Sequence, residues 1–267
     1  MILKFSQKTC SLGPTPTFLF VECLDQLLPA VTAIMNKSLR TGVFPSVFKK
    51  AIVIPLLKKH HLTRTVWKKI YRHVSNLSFL SKVTEKIVLS QLSTYLNANK
   101  LFPVSQSAYR PGHSTETAPL KLLNDVLHAL DNGDVSLLTL LDLSAAFDTI
   151  DHNILLQRLE DLYGISGTPL NWFRSYLSNR TQTVIINNKL SQPSMLNFGV
   201  PQGSVLGPIL FILCTKPLTT LIRQHSIANH LCRRHSAVQL LPSWSNRCLS
   251  PKHAGLHLRC KDMDDSQ

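Results

Sequence analysis

Acidic residues are scarce in this chain of 267 residues. Asp and Glu together number 15 against 29 Lys and Arg, so the formal net charge is +14. The sequence pI is about 9.7. Such an excess of cations favours a polyanionic partner, nucleic acid first among them. Charge alone leaves acidic substrates and anionic lipid surfaces open as alternatives.

Long hydrophobic runs are absent as well. Lys, Asp or Pro interrupts every longer apolar stretch, and none reaches the roughly 20 residues that a membrane-spanning helix needs. Residues 1–16 also lack the apolar stretch of about 7 to 15 residues that marks a secretory signal. We therefore expect no membrane partner and an intracellular location, either cytoplasmic or nuclear.

Cysteine pairs of the CxxC type are missing. The six cysteines lie at positions 10, 23, 214, 232, 248 and 260. In a chain of this length and context, that spacing predicts free thiols and no disulfide partner. A zinc site is the less favoured alternative, because the spacing is not that of a structural zinc module. Its candidate ligands are Cys232, His235, Cys248, His253, His257 and Cys260.

Several common signatures of chemistry and architecture are also lacking. The sequence supports no Ser-His-Asp or Cys-His nucleophile arrangement and contains no GxxxxGK[ST] phosphate loop. No period of 20 to 50 residues recurs. These absences argue against a hydrolase, an NTPase and a repeat array.

What is present is a mixture of helical and strand periodicities, which predicts an α/β (α+β) fold. Helices are expected at 17–42 with a kink or break at Pro29, at 80–97, 115–131, 152–163 and 169–178, and after the turn at 199–208. Strands are expected at 51–57 and 135–143, and as a hairpin at 183–188 and 194–198. Beyond residue 226 no period is sustained, so a tail without domain structure is expected.

Three carboxylates follow one another closely in the segment LLTLLDLSAAFDTIDH. Asp148 and Asp151 are best interpreted as acids at a helix N-terminus, where the helix dipole favours them. Asp142 differs because it ends an apolar strand. A carboxylate there is costly unless a metal or another cation meets it, so Asp142 is a candidate site residue.

Five segments in order resemble the reverse transcriptase domain of non-LTR (LINE-type) retrotransposons. They are SNLSFLSKVTEKIV, QSAYRPGHSTET, LLTLLDLSAAFDTIDH, NWFRSYLSNRTQ and FGVPQGSVLGPILF. The resemblance covers about residues 10–225. It implies the fingers and partial palm of a right-hand polymerase, with the thumb absent. It also implies Mg²⁺ as cofactor and an RNA template, a DNA primer and deoxynucleotides as partners.

The resemblance also suggests a division of the chain. Residues 1–134 would be a fingers-like region with N-terminal helices. Residues 135–225 would be a partial palm that carries the first catalytic acid and the GVPQGS turn. Residues 226–267 would be a disordered tail.

Roles follow for individual residues that match the family's motifs. Asp142 matches the first catalytic, metal-binding carboxylate, and the carbonyl of Leu143 would be a second ligand. Phe147 matches the aromatic gate that excludes a 2′-hydroxyl, although a core aromatic at a helix start is an equal alternative. Gln202 and Gly203 match the turn beneath the template and the incoming nucleotide, where glycine permits close backbone approach.

Two cationic residues complete the implied nucleotide site. Arg72 matches an arginine of the fingers that contacts the triphosphate, and Lys59 or its neighbour Lys58 would be the partner lysine. The chain departs from the family around them. His73 stands where the family usually has Pro, and the segment HHLTRTVWKKI lacks the expected acidic and Asn residues.

The second carboxylate pair of a palm polymerase is missing. The family carries Tyr-Ala-Asp-Asp shortly after the helix that GVPQGS opens, whereas this chain has Arg233 and Arg234 there. Two cations thus stand where two anions must hold Mg²⁺, and Asp142 alone cannot hold two such ions. We expect an inactive polymerase. The alternative is a non-catalytic, basic fragment that binds nucleic acid.

The genetic code offers a reason for this departure. Residues 231–239 can be encoded by CTA TGC AGA CGA CAC TCA GCT GTA CAG. Read one base later, this spelling encodes Tyr-Ala-Asp-Asp-Thr-Gln-Leu-Tyr. The hypothesis is that the reading frame slips between about residues 213 and 230 and that everything downstream is out of frame.

Overall fold

A computed structural model gives the fold of the chain. It describes residues 12, 16–57, 71–102, 107, 109, 112–114, 116–133, 135–136, 139–141, 146–224, 227–231 and 238–244. The chain divides into two compact units. The first comprises residues 1–104 and 143–218, and the second comprises residues 105–142 and 219–267.

The described residues contain helices in both units. They are α1 (Thr17–Glu22), α2 (Leu24–Thr41), α3 (Phe79–Ala98), α4 (Thr117–Asp131), α5 (His152–Asp161), α6 (Gly167–Leu177) and α7 (Gly207–Gln224). Local chemistry sets several of their ends. Oδ1 of Asp151 accepts the N–H groups of Asn153 and Ile154 and so caps α5. Gly42 ends α2 in the left-handed conformation, with φ of 67°.

A five-stranded sheet belongs to the first unit. Its strands are β1 (Lys50–Leu57), β2 (Tyr71–Leu77), β5 (Thr181–Ile186), β6 (Lys189–Leu190) and β7 (Ser194–Met195). Their order is β2-β1-β5-β6, with β7 also paired to β5. The β1–β5 pair is parallel and the other pairs are antiparallel.

The second unit contains α4 and a smaller sheet. The strands are β3 (Val135–Ser136), β4 (Thr139–Leu141), β8 (Ile227–Leu231) and β9 (Val238–Trp244). All three neighbours of β9 pair with it in the antiparallel sense. Strands β8 and β9 lie within the segment 226–267 that the sequence predicted to be without structure. Strand β9 pairs with β3 and β4, and β8 pairs with β9, so both stretches belong to a sheet.

The hydrophobic core of the first unit consists mainly of helix faces. Helix α5 buries Leu155, Leu156 and Leu159, which lie on one face at helical spacing. Aromatic rings pack beside them: Trp172 of α6 stacks on Tyr176 with centroids 5.5 Å apart, and Phe44 meets both rings edge-on. This core supports the elements that carry the candidate site.

Most of the predicted elements are confirmed, and several details differ. Lys189 and Leu190, expected between the two hairpin strands, form β6 and pair with β5. The break near the N-terminus falls at Cys23, whereas Pro29 lies inside α2. Strand β2 was not predicted, because YRHVSNL is mainly polar. Strand β1 was expected to be buried, yet Ala51 and Val53 are buried while Ile54 and Leu56 are 38% and 49% exposed. One face of β1 is therefore open.

The structure bears on two expected absences. The thiols of Cys23 and Cys214 are free, and the other cysteines lie outside the described residues. In the part of the chain that the structure describes, no helix combines the length and the apolar character needed to cross a bilayer.

Replacement of Leu159 by Ala tests the core. Leu159 is fully buried, so the cavity should lower the free energy of unfolding by about 2 to 5 kcal/mol. Leu190→Ala is the matched control because Leu190 is 61% exposed, and its effect should stay within about 0.5 kcal/mol. Urea denaturation followed by circular dichroism measures both values. Equal losses would contradict the assigned core.

Candidate functional site

Hydrogen bonds join two turns, the glycine-rich turn at residues 199–206, which precedes α7, and the Phe147 turn at residues 146–150. The amide of Gly199 donates to the Ile150 carbonyl over 2.7 Å, and the amide of Val200 donates to the Phe147 carbonyl over 2.8 Å. Nε2 of His152 donates to the Gly199 carbonyl over 2.7 Å. These three hydrogen bonds fix two sequence-distant turns against each other.

The other side of the glycine-rich turn meets strand β2. The amide of Ser75 donates to the Gln202 carbonyl over 2.8 Å. Gly203 has φ of +127°, and a Cβ built on it would lie 2.7 Å from the Ser75 carbonyl oxygen. No side chain fits that space, and the conformation itself favours glycine. Close approach to the backbone of β2 is therefore the reason for glycine at this position, whereas the predicted approach to a template and a nucleotide stays a prediction.

The phenyl ring of Phe147 lies against the helix that the turn opens. Its centroid is 5.6 Å from that of Phe211 in α7, with the ring planes inclined at 56°. The ring is half-buried. Phe147 therefore contacts the core on one side and is accessible on the other, so its position is compatible with both interpretations offered by the sequence.

A carboxylate and an imidazole also lie beside these turns. Partial burial raises the pKa of Asp148, and the nearby charge of His73 opposes that shift. His73 belongs to β2, and Asp148 follows Phe147 directly. The structure thus brings β2, the Phe147 turn and the glycine-rich turn to one place.

The interior of the glycine-rich turn is anchored by a residue that was not predicted as functional. Oε2 of Glu85 in α3 accepts the N–H groups of Val205 over 2.7 Å and Leu206 over 3.1 Å. Glu85 is fully buried. The only signal in the sequence was an acid on the same helix face as buried apolar residues such as Val88.

Some predicted site residues are brought together, and others cannot be placed. Phe147, Gln202 and Gly203 lie on the two connected turns. The backbone of Arg72 pairs with Leu56 in the β1–β2 ladder, and its side chain is not among the described parts. The remaining predicted residues, Asp142, Leu143, Lys58 and Lys59, lie outside the described residues.

In the small sheet, the last residue of β4, the last residue of β8 and the first residue of β9 lie side by side. Leu141, the last residue of β4, pairs with Val238 at the start of β9, and Val238 also pairs with Leu231 at the end of β8. All three residues therefore lie at the same end of this sheet. Asp142 follows Leu141 in the sequence, and residues 232–237 connect β8 to β9.

A metal site is not evident among the described residues. They contain no group of three His, Cys, Asp or Glu side chains that could hold a metal ion. The sequence supplies Arg233 and Arg234 in the segment where further carboxylates are needed. A pair of Mg²⁺ ions requires several oxygen ligands, and the described residues do not supply a set that fits such a pair.

Comparison with known proteins identifies the family. The family described as reverse transcriptase (RNA-dependent DNA polymerase) matches residues 57–235. The chain therefore belongs to the reverse transcriptase family. Its relatives make it a reverse transcriptase domain of the non-LTR retrotransposon type.

Two of these relatives come from Drosophila melanogaster. The probable RNA-directed DNA polymerase from transposon BS is 31% identical over 188 residues, which are 69% of this chain and 20% of the relative. The RNA-directed DNA polymerase from mobile element jockey is 31% identical over 198 residues, which are 73% of this chain and 21% of the relative. The chain thus spans about a fifth of their length.

A solved structure shares the fold. It is the apo telomerase of Candida tropicalis, truncated from its C-terminal domain. The TM-score is 0.53 at 15% sequence identity, and the match covers 76% of this chain and 45% of that chain. This likeness agrees with the mixed α/β class predicted from the sequence.

Replacement of Gly203 by Ala tests the close approach to β2. The new Cβ would collide with the Ser75 carbonyl and also strain the backbone, so stability should fall by roughly 2 to 4 kcal/mol. Gly167→Ala is the control, because Gly167 has φ of +61° with open space around its Cβ position, and about 1 kcal/mol is expected. Urea unfolding compares the two variants. If both lose the same amount, the approach to Ser75 is not a constraint.

Proposed function

We propose that this chain retains the fingers and a partial palm of an RNA-directed DNA polymerase and binds an RNA template paired with a DNA primer. The observation that supports this best is the set of backbone hydrogen bonds that joins the Phe147 turn, the glycine-rich turn and β2. Each of these segments carries a residue that matches the family's nucleotide site. The proposed division is 1–134 for the fingers-like region, 135–225 for the partial palm and 226–267 for an out-of-frame segment.

The proposed roles follow the motifs. Phe147 would exclude a 2′-hydroxyl by occupying its space. Gln202 and Gly203 would pass beneath the template base and the incoming deoxynucleotide, where a glycine backbone allows contact without a side chain. Arg72 and Lys59 would bind the triphosphate, since guanidinium and ammonium groups form strong charge-assisted hydrogen bonds with phosphate oxygens. In the ancestral enzyme, Asp142 and the Leu143 carbonyl would be Mg²⁺ ligands.

We further propose that the chain as written does not polymerise. The register of the small sheet supports this. Asp142 follows Leu141 in the sequence, the 232–237 connection follows Leu231, and Leu141 and Leu231 lie at the same end of the sheet. That connection includes Arg233 and Arg234 and no acid. Two positive charges near a metal site oppose cation binding, and one carboxylate cannot replace the several that two ions need.

The proposed cause is a shifted reading frame. The spelling of residues 231–239 that restores Tyr-Ala-Asp-Asp would place acids at this same connection. The coding sequence tests the idea directly. If the codons for residues 231–238 do not yield the acidic motif in the shifted frame, the frame hypothesis is wrong.

Primer extension tests the loss of activity. The chain as written should add no deoxynucleotides to a DNA primer on an RNA template with Mg²⁺. A version with the frame restored from codon 231 and extended through a thumb should extend the primer, because the second carboxylate pair is then present. Asp142→Asn in the restored version is the control and should abolish extension. Extension by the chain as written would overturn the proposal of inactivity.

Binding without catalysis is the second candidate function, and the net charge of +14 favours it. Fluorescence anisotropy with an RNA–DNA hybrid should show binding that weakens at least about tenfold between 50 and 200 mM salt, because phosphate contacts release counterions. Affinity that does not change with salt would contradict a basic nucleic-acid surface. Absence of binding at low salt would indicate an inert fragment.

A further inference from the structure

The carboxylate of Glu85 lies in the centre of the first unit, where a charge is costly. Burial raises the pKa of Glu85, whereas the positive charge of Arg180 and the hydrogen bonds from Leu206, Val205 and Ser81 lower it. Oγ of Ser81 donates to Oε1 over 3.2 Å. Oε2 accepts both backbone amides just before α7. Burial is the largest of these effects, so the pKa of Glu85 is raised overall, while hydrogen-bond donors meet both of its carboxylate oxygens.

The counter-charge has an unusual environment of its own. Arg180 is 1% exposed, and its Nη1 donates to the Tyr176 carbonyl over 2.9 Å. Its Nε and Nη2 atoms are buried and make no hydrogen bond with the described residues. The guanidinium carbon lies 4.6 Å from the centroid of the Tyr176 ring. Arg180 therefore depends on electrostatic interaction more than on direct hydrogen bonds.

Lys49 is a second cation close enough to Arg180 to interact with its charge. Burial and the charge of Arg180 lower the pKa of Lys49. Lys49 is 9% exposed, and its carbonyl accepts the amide of Thr181, the residue after Arg180. Removal of the Glu85 charge would leave Arg180 buried beside another cation. Loss of one partner of a buried charge pair is costly for this reason.

We propose that Glu85 is a positioning residue: its carboxylate, with the buried guanidinium of Arg180 nearby as counter-charge, holds the 202–206 turn in place against the template strand. The turn is held from two sides: Ser75 fixes the Gln202 carbonyl, and Glu85 fixes the amides of Val205 and Leu206. Between these anchors lies Gly203, whose backbone approaches the Ser75 carbonyl too closely to leave room for a side chain. This inference rests on the proposed function, because it assumes that the turn faces an RNA template.

A purely structural role for Glu85, as a cap of α7, makes a different prediction. Glu85→Gln keeps an oxygen that can accept backbone N–H groups but removes the charge that faces Arg180. A cap would tolerate this change with little effect on the turn. A charge-dependent positioning residue would let the turn shift. The double variant Glu85→Gln/Arg180→Met removes both charges and should restore the turn, since it leaves no unbalanced buried cation at that position.

The test uses the full chain and a photoreactive RNA–DNA hybrid that carries 4-thiouridine at the first unpaired template position. Crosslinks to the peptide that contains residues 198–211 report the turn, and anisotropy reports total affinity for the hybrid. Glu85→Gln should lower the crosslink yield at least about fivefold, as expected for loss of a charge-assisted contact, with hybrid affinity within about twofold because phosphate contacts dominate binding. The double variant should recover most of the yield.

Two further variants and one further measurement guard the result. Glu160→Gln removes an exposed carboxylate from α5 and should change neither readout. Ser81→Ala removes one hydrogen bond to Glu85. It is a milder change, should give an intermediate crosslink yield, and replaces Glu85→Gln as the test variant if Glu85→Gln does not fold. Amide hydrogen exchange at residues 202–206, measured without nucleic acid, should become faster in Glu85→Gln and recover in the double variant.

The outcomes separate the two proposals. If the unmodified chain does not bind the hybrid, the proposed function is overturned, while hydrogen exchange still reports whether Glu85 holds the turn. If crosslinking and exchange in Glu85→Gln match those of the unmodified chain, the positioning role is overturned. If the double variant is as defective as the single one, the pairing with Arg180 is wrong.

Discussion

The arrangement of the candidate site depends on a short series of backbone hydrogen bonds made by the glycine-rich turn. Gly199 and Val200 bond to the Phe147 turn, and Gln202 bonds to Ser75 of β2. Side chains at two of these points would prevent the contact, because a Cβ at Gly199 or Gly203 would lie 2.7 Å from a backbone oxygen. Main-chain contacts of this kind fix position more tightly than side-chain contacts, since the backbone has few soft torsions.

The hydrophobic core of the first unit holds the residues that flank the glycine-rich turn. Buried residues of α3, α5 and α6 belong to one hydrophobic cluster with Leu206, just before α7, and Leu210 in its first turn. The position of α7 in turn determines where its preceding turn lies. The buried polar residues Glu85 and Arg180 add a constraint that apolar packing lacks, because the energy of charges and hydrogen bonds depends strongly on distance and direction.

The chain keeps some of the family's motifs and departs from others. The elements around Phe147, Gln202 and Gly203 retain the motifs of non-LTR reverse transcriptases and are brought together by the fold. The segment that should supply the second pair of carboxylates carries Arg233 and Arg234 instead. This contrast between the two segments is the basis of the proposal that the reading frame slips between about residues 213 and 230.

The sequence by itself determined the fold class, most helices, the family and the turn residues, because periodicity and motif spacing are local properties of the chain. It could not predict β2, since a mainly polar strand becomes stable only when β1 is there to pair with it. It also left Glu85, the single acid of α3, without an assigned role. Only the tertiary structure brings this acid into hydrogen bonds with the glycine-rich turn and within reach of the charge of Arg180, because these residues are far apart in the sequence.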